Sequence, residues 1–154
     1  MTDLTGRCTC GDVTYRLTRD PMFVHCCHCS WCQRESGSAF ALNALIETAA
    51  VEVSGPLEGV MLPSASGKGQ QVMRCPTCRT AVFSHYTGAG DRMAFVRVGT
   101  LDDPAACPPS IHIYTASKLP WVVLGDAVPV SEGYYSAREM WPPEAQARFK
   151  ALQG

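Results

Sequence analysis

Short stretches of alternating hydrophobic and polar residues recur along most of the chain, and they predict β-strands. Residues 13–17 are the clearest case, because Val13, Tyr15 and Leu17 alternate with polar residues. A period of two places such residues on one face of a strand. Gly, Pro, Asp and Ser separate the stretches, as expected of turns. The other predicted strands are residues 51–53, 59–62, 81–83, 95–98, 111–114 and 121–124.

Two segments have helical propensity. Residues 39–46 are rich in Ala and Leu, which lead the helix scale, yet their apolar positions from Phe40 to Ile46 also alternate. We therefore predict a strand there. Residues 143–152 predict a C-terminal helix, because Pro and Glu open the segment and its apolar residues share one face. The pattern as a whole predicts a mainly β fold of several antiparallel sheets with a short C-terminal helix.

Composition bounds the class of protein. The chain has 154 residues, of which 46% are hydrophobic and 18% are charged, and this predicts one globular domain over residues 1–154. The net charge of −1 and the lack of a Lys/Arg-rich block argue against a nucleic-acid partner. Neither a signal-peptide core nor an apolar stretch of about 18 residues occurs, so we expect no membrane partner and a cytoplasmic location.

Cysteine is the residue that most changes this picture. Seven of the nine cysteines form three groups, two with two thiols and one with three. A reduced compartment and the odd total argue against a disulfide framework. A structural zinc takes four ligands, whereas a catalytic zinc keeps three protein ligands and one open position. Seven thiols therefore predict one metal of each kind, provided by Cys8, Cys10, Cys27, Cys29, Cys32, Cys75 and Cys78.

The two pairs are predicted to form the closed zinc site. Cys8 and Cys10 precede Gly11, which can adopt a positive φ after the second ligand, and Cys75 and Cys78 have the spacing of a zinc knuckle. Each pair supplies two ligands, so a site with four ligands needs both pairs. The alternative connectivity joins Cys75 and Cys78 with Cys29 and Cys32, but it leaves Cys8, Cys10 and Cys27 without a loop to organise them.

The middle group predicts three thiolates that converge from one turn between a strand and a short helix. Cys26 could replace Cys27 as a ligand, but neighbours in an extended segment point in opposite directions. His25 and His28 are candidates for a fourth ligand, and we favour a His28 that points away and orients a neighbour. His85, Cys107 and His112 are expected to be packed or surface residues. Trp31, inside the loop, is expected to pack in the core, with a place in the wall of a substrate pocket as the alternative.

These motifs, in this order, resemble the glutathione-dependent formaldehyde-activating enzyme family, the S-(hydroxymethyl)glutathione synthase-like proteins. The likeness runs almost end to end. It departs at Arg79, where the family usually has a glycine that enters the left-handed region more easily. The matching pieces are Cys8-Thr9-Cys10-Gly11, then Cys27-His28-Cys29 with Cys32, Arg34, Ser36-Gly37-Ser38 and Phe40, then Cys75 with Cys78, then Ile111-His112-Ile113-Tyr114 and Ser117-Lys118.

The resemblance implies an Mss4-like fold of coiled β-sheets with two zinc ions per chain. It implies a structural zinc on Cys8, Cys10, Cys75 and Cys78 and a catalytic zinc on Cys27, Cys29 and Cys32. It also implies the family's reaction, the reversible addition of glutathione to formaldehyde, which is a carbon–sulfur lyase chemistry. Three thiolates make zinc a weak Lewis acid but leave a place for a soft external thiol.

Glutathione carries two carboxylates, so a cationic anchor is expected. Arg34, next to the metal loop, is the first candidate and Lys118 the second, because both can bind a carboxylate and guanidinium does so with two hydrogen bonds. No residue stands out as a general base. The rival hypotheses are a zinc-stabilised binding module of the same fold without turnover, and a zinc or redox sensor.

Overall fold

A computed structural model describes residues 3–154, which form two β-sheets and three short α-helices. The protein is therefore mainly β, as predicted. The helices are α1 (Ser30–Ser36), α2 (Ala137–Met140) and α3 (Pro143–Gln153). The strands are β1 (Leu4–Arg7), β2 (Thr14–Leu17), β3 (Phe23–Cys27), β4 (Ala41–Glu47), β5 (Val51–Ser54), β6 (Glu58–Leu62), β7 (Gln70–Arg74), β8 (Ala81–Tyr86), β9 (Met93–Arg97) and β10 (Ile111–Ile113).

The smaller sheet has three antiparallel strands in the order β1-β2-β5. Its inward face carries Tyr15 and Leu17, which are buried as their alternation predicts. Gly6 faces the Tyr15 ring, and a Cβ at Gly6 would lie 2.4 Å from that ring. Only glycine at position 6 leaves room for the Tyr15 ring.

The larger sheet has seven strands in the order β10-β3-β4-β9-β8-β7-β6. β10 is parallel to β3, and every other pair is antiparallel. β4 lies between β3 and β9 and is buried on both faces. The strand prediction for residues 39–46 is confirmed, because pairing on both edges outweighs helical propensity.

Each face of the larger sheet packs against its own hydrophobic cluster. Ala44 and Ile46 of β4 belong to the cluster shared with the smaller sheet, which also contains Cys8 and Cys75. Leu45, on the opposite face, belongs to a second cluster that α2 and α3 help to cover. That second cluster contains Cys27, Cys29 and Cys32. The sheet therefore separates the two groups of cysteines.

The predicted strand at residues 121–124 is wrong. These residues form a turn and an irregular segment, in which Trp121 is 71% and Val123 89% exposed. Pro120 precedes the segment, and the backbone N–H of Val122 closes a turn onto the carbonyl of Leu119 (3.0 Å). Alternation here did not signal a buried face. The C-terminal helix is confirmed as α3.

Within residues 3–154, no helix combines the length and the hydropathy required to cross a membrane.

Candidate metal centres

Four thiols from distant parts of the chain meet beside the smaller sheet, and we call Cys8, Cys10, Cys75 and Cys78 the four-cysteine set. Their sulfurs all lie within 4.8 Å of one another. Cys8 Sγ is 3.5 Å from Cys10 Sγ, which is 3.7 Å from Cys75 Sγ. A disulfide needs about 2.05 Å, whereas a tetrahedral zinc with 2.3 Å bonds separates its sulfurs by about 3.8 Å. The set therefore fits a metal.

Two tight loops bring these thiols together. In the first, Gly11 has φ +87° and its N–H donates to the Cys8 carbonyl (3.2 Å), while the N–H of Val13 donates to Cys8 Sγ (3.3 Å). In the second, the N–H of Arg79 donates to the Cys75 carbonyl (2.9 Å), and Arg79 adopts φ +65°. The turn thus keeps the left-handed conformation even though arginine replaces glycine.

Threonine side chains join the two loops. Thr9 Oγ1 lies 3.0 Å from Thr80 Oγ1, which is 3.2 Å from Cys78 Sγ. Hydrogen bonding from Thr80 lowers the pKa of Cys78 to about 5. A thiol that ionises easily is ready to bind a cation without first losing a proton at high cost.

Three further thiols, Cys27, Cys29 and Cys32, form the three-cysteine set, with all sulfurs within 4.8 Å of one another. β3 ends at Cys27 and α1 begins after Cys29, as the sequence predicts. Cys29 caps α1, since the N–H of Cys32 donates to its sulfur (3.3 Å). Hydrogen bonds from Cys27 and Cys32 lower the pKa of Cys29 to about 2, and hydrogen bonding to Cys29 and Cys32 raises the pKa of Cys27. Three thiols that share protons in this way can exchange them for a divalent metal.

Cys26 and His28 lie apart from the three-cysteine set. They form a separate group with His112, in which His28 Nε2 is 3.6 Å from Cys26 Sγ and 3.0 Å from His112 Nδ1. The expectation that Cys26 and Cys27 point in opposite directions agrees with this grouping. His28 is fully buried, and its carbonyl accepts hydrogen bonds from Gln33 Nε2 (2.9 Å) and Ser117 Oγ (3.0 Å). It anchors the loop that carries the three thiols.

A cavity of about 460 Å³, which we call the aromatic cavity, has all three cysteines of the three-cysteine set in its wall. His25 also lines it. Burial, with a contribution from the positive charge of Arg97, lowers the pKa of His25 to about 3, so this ring is neutral. Seven aromatic residues make the largest side-chain contribution to the remaining wall, namely Trp31, Tyr86, Phe95, Tyr114, Tyr134, Trp141 and Phe149, and small residues such as Ala65, Ala89 and Ala137 lie between them.

The two predicted anchors lie elsewhere. Arg34 stacks on the Trp31 ring, 5.9 Å from its centroid, and Lys118 Nζ donates to the carbonyls of Leu119 (3.2 Å) and Val122 (2.6 Å). Neither residue lines the aromatic cavity, whereas Lys68 does. Nothing in the sequence around Lys68 signalled this position, because residues 64–70 reach the cavity only through the pairing of β6 and β7.

The sequence also did not predict that aromatic residues near the C-terminus line the cavity. Tyr134 and Trp141 line the cavity although no metal motif lies near them in sequence. The available signal was the aromatic content of residues 134–149, whereas the sequence-based prediction for this region is limited to a helix over residues 143–152. Trp141 Nε1 donates to the Tyr135 hydroxyl (3.0 Å), and its ring contacts Phe149 at 5.3 Å between centroids.

Among solved structures, a Rhodobacter sphaeroides protein determined as a Northeast Structural Genomics target matches with a TM-score of 0.47. It is 19% identical, and the match covers 66% of this chain and 93% of that one. We draw no conclusion from so partial a likeness. No curated protein matches the chain.

A family model described as glutathione-dependent formaldehyde-activating enzyme matches residues 3–117. This segment is about three quarters of the chain, and it contains both the four-cysteine and the three-cysteine sets. The chain therefore belongs to the glutathione-dependent formaldehyde-activating enzyme family.

Proposed function

We propose that the protein is a zinc-dependent carbon–sulfur lyase-type enzyme that joins a small thiol to an aldehyde such as formaldehyde, or cleaves the S-hydroxymethyl adduct. Glutathione is the thiol in the family's name. One observation carries the proposal. The three-cysteine set lines a cavity of about 460 Å³, which is large enough for a small thiol.

The proposal includes two zinc ions in a single Mss4-like domain over residues 1–154, located in the cytoplasm. Cys8, Cys10, Cys75 and Cys78 would hold a structural zinc, because four thiols complete a tetrahedral site. Cys27, Cys29 and Cys32 would hold a catalytic zinc with one open position. A zinc ion on three thiolates can bind an external thiol and lower its pKa.

The reaction needs a nucleophilic sulfur and a donor to the aldehyde oxygen. The thiol sulfur forms a bond to the carbonyl carbon, and the proton that the thiol loses ends on the oxygen, so no oxidant or reductant is consumed. Tyr86 and Tyr114 line the cavity, and burial raises the pKa of both. Their hydroxyls stay protonated at neutral pH and can donate a hydrogen bond to the developing oxyanion.

We propose that Arg34 and Lys118 contribute to substrate binding from outside the cavity. Arg34 is exposed, and its contact with the exposed Trp31 places a cation beside a residue of the cavity wall. Lys118 is half-buried, and two carbonyls already accept its hydrogen bonds. Arg34 is therefore the better candidate of the two.

The test is metal analysis followed by NMR detection of adduct. We expect two zinc ions per chain, and adduct formation from thiol and formaldehyde faster than in buffer alone. Cys32→Ala should abolish the acceleration, whereas Cys107→Ala, which changes a buried thiol in the other hydrophobic cluster, should keep it. A rate equal to that of buffer with both zinc ions bound would contradict the proposal and favour a non-catalytic binding module.

A further inference from the structure

The wall of the aromatic cavity limits the thiols that the three-cysteine set can accept. If the sulfur of a ligand lies at Cys27, Cys29 and Cys32, the rest of that molecule must lie against the other side chains of the same cavity. Those side chains form prebuilt aromatic contacts. The rings of Tyr86 and Phe95 are 4.5 Å apart and those of Trp141 and Phe149 are 5.3 Å apart. Such a wall binds apolar and aromatic groups.

Charge in this cavity is scarce. Of the residues between 3 and 154 that line it, Lys68 is the single Lys, Arg, Asp or Glu. Lys68 is exposed, and its side chain lies beside the exposed Gly88 at the solvent edge. Glutathione brings two carboxylates and one ammonium group, and each buried charge without a partner is costly. One peripheral lysine cannot compensate for two carboxylates.

The aromatic wall is also partly separate from the family-defining segment. The family model ends at residue 117, whereas Tyr134, Ala137, Trp141 and Phe149 follow it in the chain and line the cavity. Part of the wall that would contact the body of the ligand therefore lies outside the segment that contains the proposed metal ligands. Substrate choice can differ from that of glutathione-using relatives while the metal chemistry is kept.

We propose that the thiol partner of this protein has an uncharged, apolar body of arylalkyl type, and that glutathione is a poor ligand. The inference rests on the proposed function, since it assumes that a thiol binds at the three-cysteine set. The sulfur adds to the aldehyde carbon, the carbonyl π bond breaks, and the thiol proton ends on the oxygen of the new hydroxyl.

Calorimetric titration of the zinc-loaded protein tests this substrate class without an activity assay. The probes are 2-phenylethanethiol, glutathione and 2-phenylethanol, which lacks the sulfur. We expect 2-phenylethanethiol to bind at least tenfold more tightly than glutathione. Lys68→Met should leave that ratio unchanged. Equal or tighter binding of glutathione, weakened by Lys68→Met, would overturn the inference and leave the proposed function intact.

A pair of variants, one that fills the cavity and one that does not, provides a matched control. Ala137→Phe should weaken binding of 2-phenylethanethiol at least tenfold, whereas Ala147→Phe, on the exposed side of α3, should not change it. The melting temperatures of both variants verify that they fold. If 2-phenylethanol binds as tightly as 2-phenylethanethiol or more tightly, the sulfur contributes nothing to affinity. That result would contradict binding of a thiol at the three-cysteine set, and with it the inference. If no probe binds, the inference is overturned.

Discussion

His28 Nε2 lies 3.0 Å from His112 Nδ1, so one hydrogen bond joins the loop of the three-cysteine set to β10, 84 residues further along the chain. The parallel pairing of β10 with β3 sets this contact. His28 lies between two of the proposed metal ligands. A residue that holds the backbone of His28 therefore also positions the Cys27 and Cys29 sulfurs.

Replacing His112 should loosen this loop. His112→Leu removes the hydrogen-bond partner of a fully buried ring nitrogen of His28, and we expect it to lower the free energy of unfolding by about 1–3 kcal/mol. His112→Asn keeps a hydrogen-bonding group near the position of Nδ1 and should lose less than half as much. Denaturant titrations of the two variants make the comparison. Equal losses would show that packing, and not the hydrogen bond, holds His28.

The two cysteine sets should respond differently to the loss of one thiol. Cys75 is fully buried and its set joins loops 65 residues apart, so Cys75→Ala should lower stability by several kcal/mol, or roughly 10 °C or more in Tm. Cys32→Ala removes a thiol from a cavity wall and should leave a folded protein that retains one zinc ion. Metal content and thermal unfolding report both effects. Similar losses of Tm in both variants would contradict the division into a structural zinc site and a catalytic zinc site.

The strands and the cysteine sets could be predicted from local sequence because each depends on short-range features. Alternation located β2, and the spacing of Cys27, Cys29 and Cys32 located a turn that brings three sulfurs together. Residues 121–124 show the limit of the pattern. They alternate like a strand, but no neighbouring strand pairs with them, so Trp121 stays exposed.

The cavity could not be predicted in this way. Its wall combines residues from β7, β8, β9 and the C-terminal helices, and their meeting depends on the order of the strands in the larger sheet. Lys68 and Gln70 carry no motif, and their place in the cavity follows from tertiary structure alone. Arg34 was chosen because it lies near the metal loop in sequence, yet its contact is with Trp31 on the surface.

Glu47 should make stability depend on pH in the acid range. Burial by itself would raise the pKa of Glu47, but the hydrogen bonds and charges of Arg148 and Arg19 outweigh it and hold the pKa below its usual range. The ionised carboxylate therefore stabilises the fold above the pKa of the unfolded chain, near pH 4.3. This stabilisation is lost as the pH falls through the lower pKa of the folded state.

Glu47→Gln isolates this effect. At pH 7 we expect the variant to be less stable than the wild type by about 2 kcal/mol, because charge-assisted hydrogen bonds are replaced by neutral ones. The difference should shrink as the pH falls from about 5 through the lowered pKa of the folded state. Comparing the two proteins at each pH cancels the protonation of the cysteine sets. If the difference in the free energy of unfolding stays constant over this pH range, the ionisation of Glu47 does not contribute to stability as expected.

Arg79 offers a test of the turn that follows the second cysteine pair. A non-glycine residue in the left-handed region costs about 1 kcal/mol relative to glycine, and Arg79 has φ +65°. Arg79 also forms an exposed ion pair with Glu58, which contributes little. Arg79→Ala loses the ion pair but keeps the unfavourable φ, so it is the control for Arg79→Gly. We expect the free energy of unfolding of the glycine variant to be higher than that of the alanine variant by about 1 kcal/mol, which corresponds to roughly 2–4 °C in Tm. If the alanine variant is as stable as the glycine variant, the metal loop does not impose the left-handed conformation on this residue.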